Sequence, residues 1–195
     1  MLGMVASGAS IAQGVPGNPA VTSAKAGVYS VEPHHTRVQF SVSHMGFTDW
    51  YGDFTGISGS LTLDPAHIDA SKVDISIPVT SISTTNTVLD GELRSPAWFD
   101  AAQFPTMHFV SNNVVRTGER TAHIMGTLTF HGVSHPVTLE ASFVGGGVNP
   151  MSKGYTVGFN ATTTLHRSDF GVKTYVPMIG NAVDVRISAA FEAAH

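Results

Sequence analysis

The sequence predicts an all-β fold in which eight antiparallel strands close into a barrel, with a short helical insertion near residues 85–95. From Tyr29 onward, apolar and polar residues alternate with a period of two in eight separate runs, which indicates strands with one apolar face. Most connections between the runs are short and contain Gly, Asn or Pro, as antiparallel turns do. Closing the sheet removes exposed edges and favours a barrel, although a two-sheet sandwich shows the same alternation.

The eight runs follow one another along the chain, and each collects its apolar residues on one face. The first places Val38, Phe40, Val42 and His44 on the same face. The others cover residues 52–63, 73–79, 106–111, 122–130, 137–143, 155–165 and 183–191. Phe130 and Phe159 belong to the apolar faces of the fifth and seventh runs. An eight-stranded barrel encloses a lumen that such side chains fill or that holds one slender ligand.

Two segments depart from this alternation. Residues 131–136 are rich in turn formers and predict a hairpin between the fifth and sixth runs. Between residues 84 and 100, Leu89 and Leu93 recur four positions apart before Pro96, which predicts a short helix. Trp98 and Phe99 follow it as an apolar cluster, and we expect this cluster to plug one mouth of the barrel or to brace a lid.

The chain divides into an N-terminal segment, residues 1–27, and one barrel domain, residues 28–195, since its 195 residues suit one domain. The first segment begins with small and mildly apolar residues and continues with Gly, Pro, Ala and Ser. It resembles the end of a signal peptide with cleavage between Ala12 and Gln13, although the positive n-region is missing; the alternative is a disordered tail. No later run reaches the ~20 apolar residues that span a bilayer.

Composition and motifs disfavour several classes of function. The chain has ten Lys and Arg, a net charge of -4 and no cysteine, which argues against nucleic-acid binding and excludes thiolate metal sites. Neither an H-E-x-x-H motif nor a G-x-S-x-G motif is present among its ten His and many Ser residues, so no catalytic or metal constellation is predicted. A metal-binding or enzymatic protein that uses His44 and neighbouring histidines remains the alternative.

Residues 167–171 form the most distinctive polar segment. Arg167, Asp169 and Phe170 lie within four residues of one another, just before Gly171. Their simplest role is a structural turn in which Arg167 forms a local salt link with Asp169. In the functional interpretation, Arg167 meets an anionic or carbonyl head group of a ligand.

Several motifs in order resemble the YceI-like family of periplasmic lipid-binding proteins, from Tyr29 to about Glu192. They read YSVEPHHTRVQFSVSHMGF, GDFTG, LRSPAWFDAAQFPTMHF, GTLTFHGVSHPV and LHRSDFG. The chain departs from the family at Glu32, usually Asp, and at Thr36, usually Ser, and the segment 174–181 looks less typical. The resemblance implies an extended lipocalin-like barrel that holds a polyisoprenoid or a prenylated quinone, with no cofactor, no catalysis and a periplasmic or secreted location.

The lumen residues expected from the faces and the resemblance together form one set of side chains. They are Val38, Phe40, Val42, His44, Leu89, Leu93, Trp98, Phe99, Phe130, Phe159, Arg167 and Phe170. A third hypothesis is an accessory partner of a membrane redox protein, in which side chains fill the barrel. The sequence leaves open whether the protein forms a homodimer.

Overall fold

The computed structural model describes residues 14–193, of which most belong to ten antiparallel strands. The strands are β1 (Gly27–Val31), β2 (Arg37–His44), β3 (Thr48–Phe54), β4 (Ser58–Leu63), β5 (Lys72–Pro78), β6 (Thr106–Arg116), β7 (Thr121–Phe130), β8 (Val133–Val148), β9 (Tyr155–His166) and β10 (Ile179–Ala193). One α-helix, α1 (Thr87–Arg94), lies between β5 and β6, and short 3-10 turns occupy several connections.

The ten strands form a closed ring of eight, because two pairs of consecutive strands each make one bent strand. Strands β1 and β2 both pair with β10, at Val31 with Phe191 and at Val38 with Ile187. Strands β4 and β3 pair with β1 and β2 in turn. The remaining strands pair with their neighbours in sequence up to β10, which completes the ring. The eight-stranded barrel is therefore confirmed, and the sandwich is excluded.

A threonine joins the two halves of the first bent strand to the sheet. At the bend the Thr36 hydroxyl donates to the carbonyl of Ala190 (3.2 Å) and accepts from the Ala190 amide (3.0 Å). These bonds replace the backbone pairing that the bend interrupts. Thr36 is buried, so these bonds are shielded from solvent.

The strand faces agree with the alternation in the sequence, and the turn before β8 is shorter than predicted. Phe130 pairs directly with Val133, so only His131 and Gly132 form the turn. Both have a positive φ, 51° and 75°, as a two-residue turn of type I′ requires. Pro136 lies inside β8 rather than in the turn.

The predicted helical insertion is present as α1. The Asn86 side chain accepts hydrogen bonds from the amides of Val88 (3.1 Å) and Leu89 (3.2 Å) and caps the helix. The helix is eight residues long, which is too short to be stable alone. It packs through Leu93, which is 7% exposed, against one end of the barrel, so tertiary contacts hold it in place.

The buried apolar side chains form two clusters toward the two ends of the barrel, which we call the helix pole and the N-terminal pole. The helix pole contains α1 and a large cluster that includes Phe54, Leu93, Trp98 and Phe130. The N-terminal pole contains a smaller cluster of Tyr29, Leu61, Leu63, Phe143, Val157 and Phe191. The interior between the two clusters is where the barrel can hold a cavity.

Residues 14–26 lie against the N-terminal pole. Asn18 forms a β-bridge with Gly146 of β8, and residues Val21–Ser23 make a 3-10 turn. Strand β1 begins at Gly27, next to the domain boundary expected from the sequence. The proposed cleavage between Ala12 and Gln13 lies outside the described residues. Among residues 14–193, no helix is long and apolar enough to cross a membrane.

Candidate functional site: an apolar lumen and its vestibule

The barrel encloses a cavity of about 600 Å³, which we call the lumen. It extends from Trp98 and Phe170 at the helix pole to Val21 and Ile68 at the N-terminal pole. Its volume falls within the range of ~300–1,000 Å³ that is usual for small-molecule sites. The wall is predominantly apolar, because each strand contributes the apolar face that its sequence predicts.

The side chains in the middle of the barrel wall are only partly buried, although they point inward. Val38, Phe40 and Val42 point inward from β2, yet they are only half-buried, as are Ile124 of β7 and Leu139 of β8. Side chains in a filled barrel would be fully buried at these central positions. The middle of the barrel therefore presents apolar surface to a space that a guest can fill.

A chain of aromatic rings lines the helix pole of the lumen. The ring of Phe54 lies 5.8 Å from Phe40 and 6.3 Å from Phe99, measured between centroids. Phe130 continues the chain, 5.3 Å from Phe99 and 5.8 Å from Phe170. The rings pack at angles between 39° and 66°, and such tilted contacts are favourable. This pole therefore has a continuous aromatic wall.

A second cavity of about 290 Å³, which we call the vestibule, lies beside the lumen at the helix pole. Five side chains line both cavities and so form the partition between them: Phe40, Val42, Leu93, Trp98 and Ile179. Gly52 of β3 lies behind this partition, since a Cβ there would stand 2.5 Å from the Phe40 ring. The outer rim of the vestibule includes Met45, Tyr51, Tyr175 and Met178, all of which are exposed.

Polar side chains are a minority of the lumen wall, and the charged one that is buried is Arg167, which is 7% exposed. Its guanidinium donates to the backbone carbonyls of Gly180 (2.8 Å), Ile179 (2.8 Å) and Val172 (3.1 Å). The expected salt link with Asp169 is not formed, and Arg167 has no ion pair with any of residues 14–193. Instead its guanidinium lies 5.5 Å from the centre of the Trp98 ring, a cation–π distance.

The environment of Arg167 has two consequences. Burial lowers the pKa of its guanidinium below the ordinary value. Three of its five N–H donors hold the 3-10 turn Arg167–Phe170 and the following loop onto β10, while Arg167 also lines the lumen. The residue thus supports the fold and brings positive charge to the cavity wall, so the two sequence-based roles are not exclusive.

The twelve predicted site residues fall into two groups. Ten line the lumen: Val38, Phe40, Val42, Leu93, Trp98, Phe99, Phe130, Phe159, Arg167 and Phe170. His44 and Leu89 line the vestibule instead, because β2 and α1 continue beyond the end of the lumen. Their contact with a ligand stays a prediction. Sequence reasoning missed Val21, Thr22 and Ala24, which also line the lumen and lie in a segment without any strand pattern.

The histidines are dispersed over the barrel. His44 packs against Trp50 with ring centroids 5.8 Å apart, while His108 bonds to Asp74 at 2.7 Å on the outer surface. Within residues 14–193, no group of three His, Asp or Glu side chains is arranged to hold a metal ion. The geometry of the described residues therefore gives the metal hypothesis no site.

The comparisons with known proteins all indicate the same family. The profile of the YceI-like domain matches residues 29–191. A UPF0312 protein of Pseudomonas syringae pathovar tomato is 38% identical over 146 residues, which are 75% of this chain and 76% of that protein.

Solved structures share the fold. BcnA of Burkholderia cenocepacia superposes with a TM-score of 0.75 at 22% identity and covers 82% of this chain and 98% of its own. A polyisoprenoid binding domain from Saccharophagus degradans, implicated in plant cell wall breakdown, gives a TM-score of 0.68 at 16% identity and covers 87% of this chain and 100% of its own. At these identities the likeness concerns the fold.

Proposed function

Since the chain belongs to the family of YceI-like domains, we propose that it binds a long isoprenoid lipid in its lumen and carries, stores or sequesters it without catalysis. The observation that carries this proposal is the apolar lumen of about 600 Å³ between the two poles. A structural relative is a polyisoprenoid binding domain, which supports the same class of ligand. A polyprenyl lipid and a prenylated quinone both have the required tail.

Burial of the tail supplies the affinity. Transfer of one CH₂ group from water is worth ~0.8 kcal/mol, so one five-carbon isoprene unit gains about 4 kcal/mol before losses. Freezing the tail and immobilising the ligand offset part of this gain, and measured affinities do not exceed about 20 kcal/mol. A few buried units therefore suffice for tight binding.

The polar groups near the helix pole discriminate between lipid head groups. Arg167 retains N–H donors beyond its three backbone bonds, and Trp98 stands beside it. Because an arginine in a low-dielectric wall interacts strongly with a carbonyl or an anion, Arg167 favours a head group that reaches this pole. Arg116 and Arg120 line the opposite end of the lumen and are exposed. The protein works in the periplasm or outside the cell, where a water-insoluble lipid needs a carrier.

The proposal is tested by extracting lipid from the purified protein and by native mass spectrometry with and without added prenyl lipid. We expect a bound isoprenoid, or uptake of one at a 1:1 ratio. If the mass spectrum shows only the mass of the protein, even with excess prenyl lipid, the proposal is refuted.

The variant Val42→Asp places a carboxylate on the lumen wall and should abolish lipid uptake, because an unpaired charge in an apolar cavity is strongly disfavoured. The matched control is Ser43→Asp, since Ser43 is the next residue of β2 and is exposed on the outer face. We expect the control to keep the lipid. Folding of both variants is verified by urea unfolding, and full lipid uptake by folded Val42→Asp would contradict the proposal.

A further inference from the structure

The lumen opens to solvent at the N-terminal pole. Two connections meet there, residues 64–71 between β4 and β5 and residues 117–120 between β6 and β7. The exposed side chains among those that line the lumen lie toward this end, and they include Ala66, Arg116, Glu119, Arg120 and Thr121. A side chain that is exposed and also lines the cavity marks a place where the cavity reaches the solvent. We call this opening, between residues 65–68 and residues 116–121, the mouth.

The opposite end of the lumen is closed by buried side chains. Leu93 and Trp98, which separate the lumen from the vestibule, are 7% and 8% exposed. The Trp98 indole donates to the Glu92 carboxylate at 3.2 Å, and the Phe99 amide donates to the Leu93 carbonyl at 3.0 Å. A guest can pass at this end only if these packed groups separate, whereas the residues around the mouth are exposed or half-buried.

One side chain spans the mouth. The Arg116 guanidinium donates to the carbonyl of Pro65 at 3.1 Å and to that of Glu119 at 3.2 Å, and so joins the two connections. Within residues 14–193, the bond to Pro65 is the one hydrogen bond between residues 64–71 and residues 116–121. Because Arg116 is exposed, water replaces these carbonyls at little cost when the side chain rotates away.

Each side of the mouth is also held independently of this bond. The Arg120 guanidinium donates twice to the carbonyl of Phe143, at 2.6 and 3.1 Å, which fixes the turn between β6 and β7 to β8. On the other side, the Asp64 amide donates to the hydroxyl of the buried Ser71 at 2.9 Å. Rotation of Arg116 therefore opens the mouth without unfolding either connection.

We propose that guests enter and leave the lumen through the mouth and that Arg116 is its gate, an inference that rests on the proposed function. A slender apolar chain passes between the two connections once Arg116 releases Pro65, and the bond re-forms after the passage. Such a gate adds to the barrier in both directions. Its removal therefore raises the rates of uptake and release by the same factor and leaves the affinity unchanged.

The first test compares Arg116→Ala with the control Arg186→Ala, since Arg186 is an exposed arginine on the outside of β10. Stopped-flow fluorescence of N-phenylnaphthylamine, and its displacement by geranylgeraniol, give the rates of uptake and release. In Arg116→Ala we expect both rates to rise about fivefold, as loss of one exposed hydrogen bond predicts. The dissociation constant should stay within about twofold of the wild-type value, and the control should keep the wild-type rates.

Two results of this test would overturn the gate. A rise in the release rate alone means that Arg116 holds the guest and does not obstruct its path. Unchanged rates, in a variant that urea unfolding shows to be folded, mean that the Arg116 side chain does not control the mouth.

The second test blocks the mouth directly. The chain has no cysteine, so benzophenone maleimide labels only the introduced thiol of Ala66→Cys, and Ala66 is exposed at the mouth. The matched control is Met178→Cys with the same label, because Met178 is exposed at the rim of the vestibule. We expect the label at position 66 to slow uptake and release at least ~tenfold, and the label at position 178 to leave both rates unchanged.

The outcomes separate the route from the identity of the guest. Exchange that slows only with the label at position 178 means that the route runs through the vestibule, and exchange that slows with neither label means that the mouth is not the path. Failure of both probes to bind the wild type refutes the proposed function and the mouth together. If N-phenylnaphthylamine exchanges as expected while geranylgeraniol does not bind, the mouth is supported and the isoprenoid ligand is refuted.

Discussion

Replacing Arg167 by methionine should destabilise the protein severely. The substitution keeps an unbranched apolar chain in the wall but removes the donors to the carbonyls of Val172, Ile179 and Gly180. Hydrogen bonds from a charged donor contribute about 1.5–3 kcal/mol each, while release of the buried cation returns several kcal/mol of desolvation. We expect a net loss of about 3 kcal/mol, which for a chain of this length lowers Tm by about 6–12 °C.

Urea unfolding, followed by the fluorescence of the two tryptophans, measures the free energy of unfolding. The control is Arg186→Met, because Arg186 is exposed on the outside of β10 and should change stability by less than about 0.5 kcal/mol. If Arg167→Met unfolds within about 1 kcal/mol of the wild type, the three carbonyl bonds do not hold the loop, and the structural role assigned to Arg167 is wrong.

Three further substitutions test local features. Partial burial raises the pKa of Glu32, but hydrogen bonds from His35 and His34 outweigh burial and hold this pKa below its ordinary value. The ionised carboxylate therefore stabilises the fold above about pH 4.3. This stabilisation is lost as the pH falls through the folded-state pKa. Glu32→Gln should flatten that acid-dependent loss in urea titrations at several pH values, and an unchanged slope contradicts this assignment. Asn86→Ala should cost about 1 kcal/mol by removing the cap of α1, measured by urea unfolding, with no loss if the cap is unimportant. Gly171→Ala should cost about 1 kcal/mol because Gly171 has a φ of 79°, and equal thermal stability of the two proteins would disprove it.

Much of the barrel is predictable because one physical pattern governs it. The alternation at Val38, Phe40 and Val42 gives the inward face of β2, and the same reasoning gives the inward faces at Phe130 and Phe159. Each of these assignments depends only on neighbours in sequence, since successive side chains of a strand point to opposite sides.

Features that join distant segments escape such reasoning. The partners of Arg167 are backbone carbonyls up to 13 residues away, and no periodicity identifies a carbonyl. His44 lies on the same face of β2 as Val42, yet it lines the vestibule. The sequence does not show at which residue a strand extends beyond the lumen. The contact of Pro16 and Ser23 with Gly147 and Gly146 joins segments more than 120 residues apart, and no local pattern predicts it.

The division of the packed interior between two poles has an evolutionary consequence. Side chains such as Val157 and Val79 are wholly enclosed and contribute most to the folding free energy, whereas Val38, Ile124 and Leu139 in the middle of the wall are only half-buried. Replacement of these central residues by other apolar ones thus changes the shape offered to a guest at little cost in stability. Relatives with this architecture can diverge in what they hold while remaining folded.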